Sequence, residues 1–128
     1  MKKDIISKED LETLVYEFYA RVRQDDLLKD IFNGAIKDHW DEHLEKIVRF
    51  WETKLLGAHT YSGTPFVPHM PLPIDKEHFD RWLKHFFAVV DEYFEGEKAD
   101  EIKMRAGKIA ETFNAKLIYI RKNSKNGK

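Results

Sequence analysis

Apolar residues recur along this chain at three- and four-residue intervals, in stretches separated by breakers. Leu11, Leu14, Val15, Phe18, Tyr19 and Val22 form the first stripe, and the period is that of a helix. Ser7 stands at its N-cap position, with Asp10 three residues on and Ile6 and Leu11 placed for an apolar staple around the cap. "LLKDIF" then reads as a short turn closing at Asn33-Gly34. A second long helix is predicted from about Asp38 to Gly57, where the glycine suits a C-cap. Asp75 caps a third, whose face is Phe79, Trp82, Leu83, Phe86 and Val90 and which closes at Gly96. Ile102, Ala106, Ile109, Phe113, Leu117 and Ile120 mark a fourth. No segment carries a convincing strand pattern, and neither a repeat nor a linker divides the chain. The pattern predicts an all-α fold in one domain over residues 1–128, with the basic end "RKNSKNGK" frayed in solvent.

The segment between the second and third helices has another character. "GTPFVPHMPLP" holds all four prolines, Pro65, Pro68, Pro71 and Pro73, with His69 in their midst. Each proline fixes φ and lacks an N–H, so a regular long helix through His69 is disfavoured. Such stiffening fits a plain connection between helices, and it equally fits a side chain that must be held in one direction.

Composition narrows the function classes. The 128 residues carry 22 Lys+Arg against 23 Asp+Glu, a formal charge of −1. That balance gives no electrostatic footprint for nucleic acid or an anionic membrane. No apolar run approaches the ~20 residues of a membrane span, and no signal peptide is expected before the first helix. The absence of cysteine excludes disulfides, thiolate metal sites and a cysteine nucleophile. It also suits a reducing interior, so a cytoplasmic location is expected. The unusual feature is nine Phe, five Tyr and three Trp, with six histidines beside them.

Several of these rings lie on helix faces with a polar tip. In "HLEKIVRFW", His43, Ile47, Phe50 and Trp51 share one face. A histidine on such a stripe is, taken alone, more often a structural core residue than a ligand. Tyr19 at the margin of its face and Trp82 in the middle of its own are, taken singly, ordinary core aromatics. Their joint occurrence carries more weight: three helices each offer a flat apolar surface with one polar-tipped ring, and a stiffened segment offers a histidine.

Read in order, "EFY" (Phe18, Tyr19), "IF" (Phe32), "WDEHLEKIVRFW" (residues 40–51), "YSGTPFVPH" (residues 61–69) and "FDRWL" (residues 79–83) resemble the truncated haemoglobins, specifically their third group. The resemblance covers about residues 7–120, in five blocks that agree in order and spacing. It implies a truncated two-over-two globin fold with haem b, iron protoporphyrin IX, held non-covalently between two antiparallel helix pairs. It makes His69 the iron ligand, and Tyr19, His43 and Trp82 the residues that stabilise a ligand on the distal side. Phe32 matches the aromatic at the haem edge, and Phe18, Ile47, Phe50, Trp51 and Phe79 match the apolar wall. Lys46 matches the cation that pairs with a haem propionate, with Arg49 a weaker counterpart. Asp30 stands where many relatives have proline, and His39 is an additional histidine one turn before His43. On this resemblance the prolines shape the segment that aims His69 at the iron.

A rival reading comes from "HWDEH": His39, Glu42 and His43 fit the pattern in which two histidines bind zinc and a glutamate activates water for hydrolysis. A helical interaction module whose aromatics are all core is a third. Within the globin reading, the Tyr19 O–H and the Trp82 indole N–H are two donors for a bound diatomic ligand such as O2, NO or CO, whose outer atom gains negative charge. Two donors favour retention or activation, including turnover of nitric oxide or peroxide, over delivery. No nucleotide-binding fingerprint is present, so turnover requires electrons from a separate reductase.

Overall fold

The computed structural model describes residues 2–57 and 75–126. The proline-rich segment, with His69 and all four prolines, lies outside the described residues. Five helices follow in order: α1 (Lys8–Val22), α2 (Lys29–Ile36), α3 (Trp40–Leu56), α4 (Lys76–Tyr93) and α5 (Glu97–Asn126). α1 packs on α3 and α4 on α5, and α1 also lies against α4. The result is two helix pairs that meet chiefly through α1 and α4. All-α is the observed class: among the described residues the only extended pairing is an isolated bridge between Lys3 and Phe94.

Helix starts and stops follow local chemistry where it was legible. The Ser7 hydroxyl accepts the Asp10 N–H at 3.3 Å, and α3 ends on Gly57 in the left-handed region, φ 77°. Three expectations need correction. The staple around Ser7 does not form, because Ile6 is 69% exposed while Ile5 is the fully buried neighbour. The Ile6 N–H instead donates to the Asp10 carboxylate at 2.9 Å. The turn expected to close at Asn33-Gly34 is a two-turn helix that runs through Gly34 and stops at Lys37, whose φ is 57°. Gly34 has open space around it, so helix continues there without conflict. α4 stops at Tyr93, short of Gly96.

Gly96 has a different duty. Its φ is 137°, and an added Cβ would come within 2.6 Å of the Asp4 carboxyl carbon. That carboxylate accepts the N–H groups of Lys98 at 3.0 Å and Ala99 at 2.9 Å, so the chain's beginning caps the first turn of α5. Helix α5 then continues through Asn126, into the basic stretch expected to fray.

The buried residues form two clusters. The larger joins α1, α3 and the inner face of α4 with Ala99, Ile102 and Ala106 from the first part of α5; the smaller is Phe79, Ala110, Phe113 and Leu117 of α4 and α5. Trp82, Leu83 and Ile109 touch both. Between the clusters the core is split by a cleft.

Candidate functional site

The cleft holds about 780 Å³ of space, part of it open to solvent. Its walls are aromatic and aliphatic. α1 supplies Val15, Phe18 and Tyr19; the α1–α2 turn and α2 supply Leu28 and Phe32; α3 supplies Ile47, Phe50 and Trp51. α4 adds His78, Phe79, Trp82 and Phe86, and α5 adds Ile109, Ala110 and Phe113. Each set follows the three- and four-residue spacing of its own helix, which is why one face of each turns to the same space.

The rings meet edge to face or stacked. Phe18 packs on Trp82 at 5.4 Å and on Phe86 at 5.2 Å between centroids, and Trp82 stacks on Phe86 at 5.6 Å. Contacts of this kind add about 0.5–1.5 kcal/mol each to the area they bury, so these walls are stiff.

Tyr19 is the polar centre of the aromatic wall. It is 4% exposed, with His43 at 5.1 Å, Trp40 at 5.7 Å and Phe32 at 6.1 Å around its ring. Burial pushes its hydroxyl well above the usual phenol range, and a hydrogen bond from Trp82 offsets this only in part. The hydroxyl therefore stays protonated at any physiological pH. The indole N–H can only donate, so Trp82 is placed to give the Tyr19 oxygen a hydrogen bond and leave the Tyr19 O–H to donate elsewhere. Behind them Trp40, buried and packed on His43 at 5.9 Å, is itself covered by the Arg23 guanidinium 4.4 Å from its ring centre.

The comparisons with known proteins bear on this arrangement. The model of the bacterial-like globin family matches residues 4–114. The group 3 truncated hemoglobin ctb of Campylobacter jejuni is 38% identical over 121 residues, covering 91% of this chain and 95% of that protein. The chain belongs to the group III truncated haemoglobins. The crystal structure of the C. jejuni group III protein superposes on this globin with a TM-score of 0.84, at 38% identity, over 91% of this chain and 95% of that one. The truncated oxygen-avid haemoglobin of Bacillus subtilis gives 0.70 at 29% identity, over 84% and 93%. The globin is thus a haem-binding protein of the two-over-two type, and a cleft that divides its apolar core between aromatic walls fits a flat, largely apolar group.

Of the residues singled out in the sequence, Phe18, Tyr19, Phe32, Ile47, Phe50, Trp51, Phe79 and Trp82 line the cleft together. His43 stands behind Tyr19, with its Nε2 buried. Lys46 is exposed on α3 beside Ile47, and Arg49 is half-buried on the same helix. His69 lies outside the described residues. The zinc hydrolase reading finds no support. His39 sits at the N-cap of α3, outside the helix proper, 66% exposed beside Asp38 and Glu42, whereas His43 turns inward. Among the described residues no three His, Asp or Glu side chains converge on a point that could hold a metal ion.

Sequence reasoning missed several parts of the wall. Phe86, Val15, Ile109 and Phe113 were legible as core faces but not as cleft. His78 gave no signal beyond its place three residues after the Asp75 cap.

It also missed the polar cluster that fixes α4. The Asp25 carboxylate, 3% exposed, accepts the N–H groups of Leu27 (2.8 Å) and Leu28 (3.1 Å), Arg81 (2.8 Å) and His85 Nε2 (2.6 Å). Arg81 and His85 flank Trp82, so Asp25 ties the α1–α2 turn to the stretch of α4 that faces Tyr19. Burial alone would raise the Asp25 carboxyl; the hydrogen bonds from His85 and Arg81, with the two N–H groups, outweigh it and hold the group well below the usual carboxylate range. A carboxyl depressed in the folded state contributes stability that is present above its unfolded value and is lost as pH falls through the folded one. Asp25→Asn is therefore expected to lower stability by about 2 kcal/mol at pH 7. The gap should narrow as the medium is acidified below about pH 4. Thermal melts of both proteins from pH 7 to pH 3 check this, and a gap that stays constant across that range rejects it.

Proposed function

We propose that this globin binds one haem b non-covalently, with His69 as the axial ligand, and retains a small diatomic ligand against Tyr19 for chemistry more than for delivery. The observation that carries the reading is the pairing of Tyr19 with Trp82 in an otherwise apolar cleft. Haem, when bound, supplies an iron that holds O2, NO or CO and exchanges single electrons. The chain's residues do the rest. Phe18, Phe32, Ile47, Phe50, Trp51 and Phe79 would clasp the disc and exclude water, which strengthens any hydrogen bond made inside. Tyr19, unable to ionise, would keep its proton and donate a hydrogen bond to the ligand's outer atom. Trp82 would hold the Tyr19 oxygen in place by donating to it, and His43 would back the Tyr19 ring. Lys46 at the surface of α3 would meet a propionate.

Tight retention suits a protein that lets bound oxygen react with nitric oxide, or that admits peroxide, with an external reductase returning the electrons. Globin residues spanning the whole chain as one domain, and a cytoplasmic location, belong to the same proposal; among the described residues no helix is long and apolar enough to cross a membrane. Rapid mixing of the oxygenated protein with nitric oxide is expected to yield one nitrate per haem within the mixing time, and mixing of the ferric protein with peroxide a fast spectral change. Slow reactions in both, with quick and reversible oxygen release, would make it a carrier instead.

A further inference from the structure

Two polar features face this cleft, and the proposed function uses one of them. The first is Tyr19 with Trp82. The second is His78, in the first turn of α4, one helical turn before Trp82 on the same face. Its Nδ1 accepts the Asp75 N–H at 3.0 Å. A backbone N–H can only donate, so the neutral ring must carry its proton on Nε2. Among the described residues Nδ1 makes the ring's only hydrogen bond, and the ring is fixed by it with an Nε2–H donor to spare. The two cations nearest along α4 are engaged: Lys76 holds Asp80 at 2.8 Å and Arg81 holds Asp25. The acids at this end, Asp75 and Glu77, are exposed.

We infer that His78 is a haem-contacting residue, its Nε2–H donating to a propionate carboxylate of the bound haem. The inference rests on the haem-binding reading above. Haem has an apolar body and two carboxylates on one edge. This cleft has the complementary make-up: apolar walls, a donor pair that serves the small ligand, and at the start of α4 a separate donor suited to an anion. A charge-assisted hydrogen bond of this kind, half-exposed as His78 is, slows dissociation by about threefold to tenfold.

The test compares the full-length protein with His78→Glu and His78→Phe, each loaded with haem and, separately, with haem dimethyl ester, whose carboxylates are masked. Glutamate at the third position of a helix still accepts the cap N–H, so H78E removes the donor and sets an anion in its place without unseating α4. The rate of haem transfer to excess apomyoglobin is the readout. H78E should lose haem about tenfold faster than wild type, H78F by a smaller factor, and all three should lose the dimethyl ester at the same rate. Equal loss of ordinary haem from wild type and H78E overturns the inference, as does a gap that persists with the ester, which would mark His78 as merely structural. A low-spin spectrum in wild type that H78E abolishes also overturns it, because the ring would then be an iron ligand. A wild-type protein that takes up no haem overturns the haem reading itself, and this inference with it.

Discussion

His69→Ala is expected to cost this globin its stable hold on haem. Haem loss should accelerate by about a hundredfold or more, since even removal of a residue that only supports a metal ligand commonly costs 10–100-fold. The expectation rests on the group III resemblance and on how the four histidines among the described residues are engaged; His59, like His69, lies outside them. Among the described residues His39 lies at the surface beside Asp38 and Glu42, His43 backs Tyr19, His78 caps α4 and His85 binds Asp25. Transfer of haem to apomyoglobin measures the loss. His39→Ala serves as control and should change nothing. Added imidazole should restore part of the wild-type ferric spectrum in His69→Ala, because it replaces the missing nitrogen without a tether. If His69→Ala keeps its haem as well as His39→Ala does, the axial assignment is wrong.

Tyr19→Phe should produce the second large effect, faster oxygen dissociation by on the order of tenfold to a hundredfold. That range corresponds to the loss of one hydrogen bond to a charged acceptor, about 1.5–3 kcal/mol. The substitution preserves the ring and its contacts with Phe18 and His43, so packing changes little. Trp82→Phe should act in the same direction but less strongly. Its N–H is placed beside the Tyr19 oxygen, so its removal frees the hydroxyl to turn rather than deleting the donor. The double variant should resemble Tyr19→Phe, with effects clearly short of additive because the two side chains serve one ligand through one hydroxyl. Laser photolysis or rapid mixing gives the rates. Full additivity would mean that each residue donates to the ligand independently, and unchanged rates in both single variants would discard the polar-pocket account.

The sequence resolved the parts of this protein that depend on neighbours three or four residues away. The faces of α1, α3, α4 and α5, the Ser7 cap and the Gly57 stop are local, and periodicity or a single favoured residue reveals each. Part of the cleft wall was legible: Phe18, Tyr19, Ile47, Phe50, Trp51, Phe79 and Trp82 sit on stripes, and the group III resemblance implied that these stripes share one wall. Where two local signals competed, the sequence misled. Asn33-Gly34 reads as a turn, yet the chain turns at Lys37. Ile6 reads as the staple, yet Ile5 is the side chain that enters the core.

Only the tertiary structure decided the interactions made across long separations. Asp25 meets Arg81 and His85 from 56 and 60 residues away, and Asp4 caps α5 from 94 and 95 residues away. Nothing in the residues around Asp25 distinguishes it from the solvated Asp26 beside it. What separates them is burial, which makes an unpaired carboxylate so costly that partners must converge on the one the fold encloses. The nearness of Trp82 to the Tyr19 hydroxyl and the presence of His78 in the cleft belong to the same class. Periodicity places a side chain on a face, and which atom it finds there depends on the helix packed opposite.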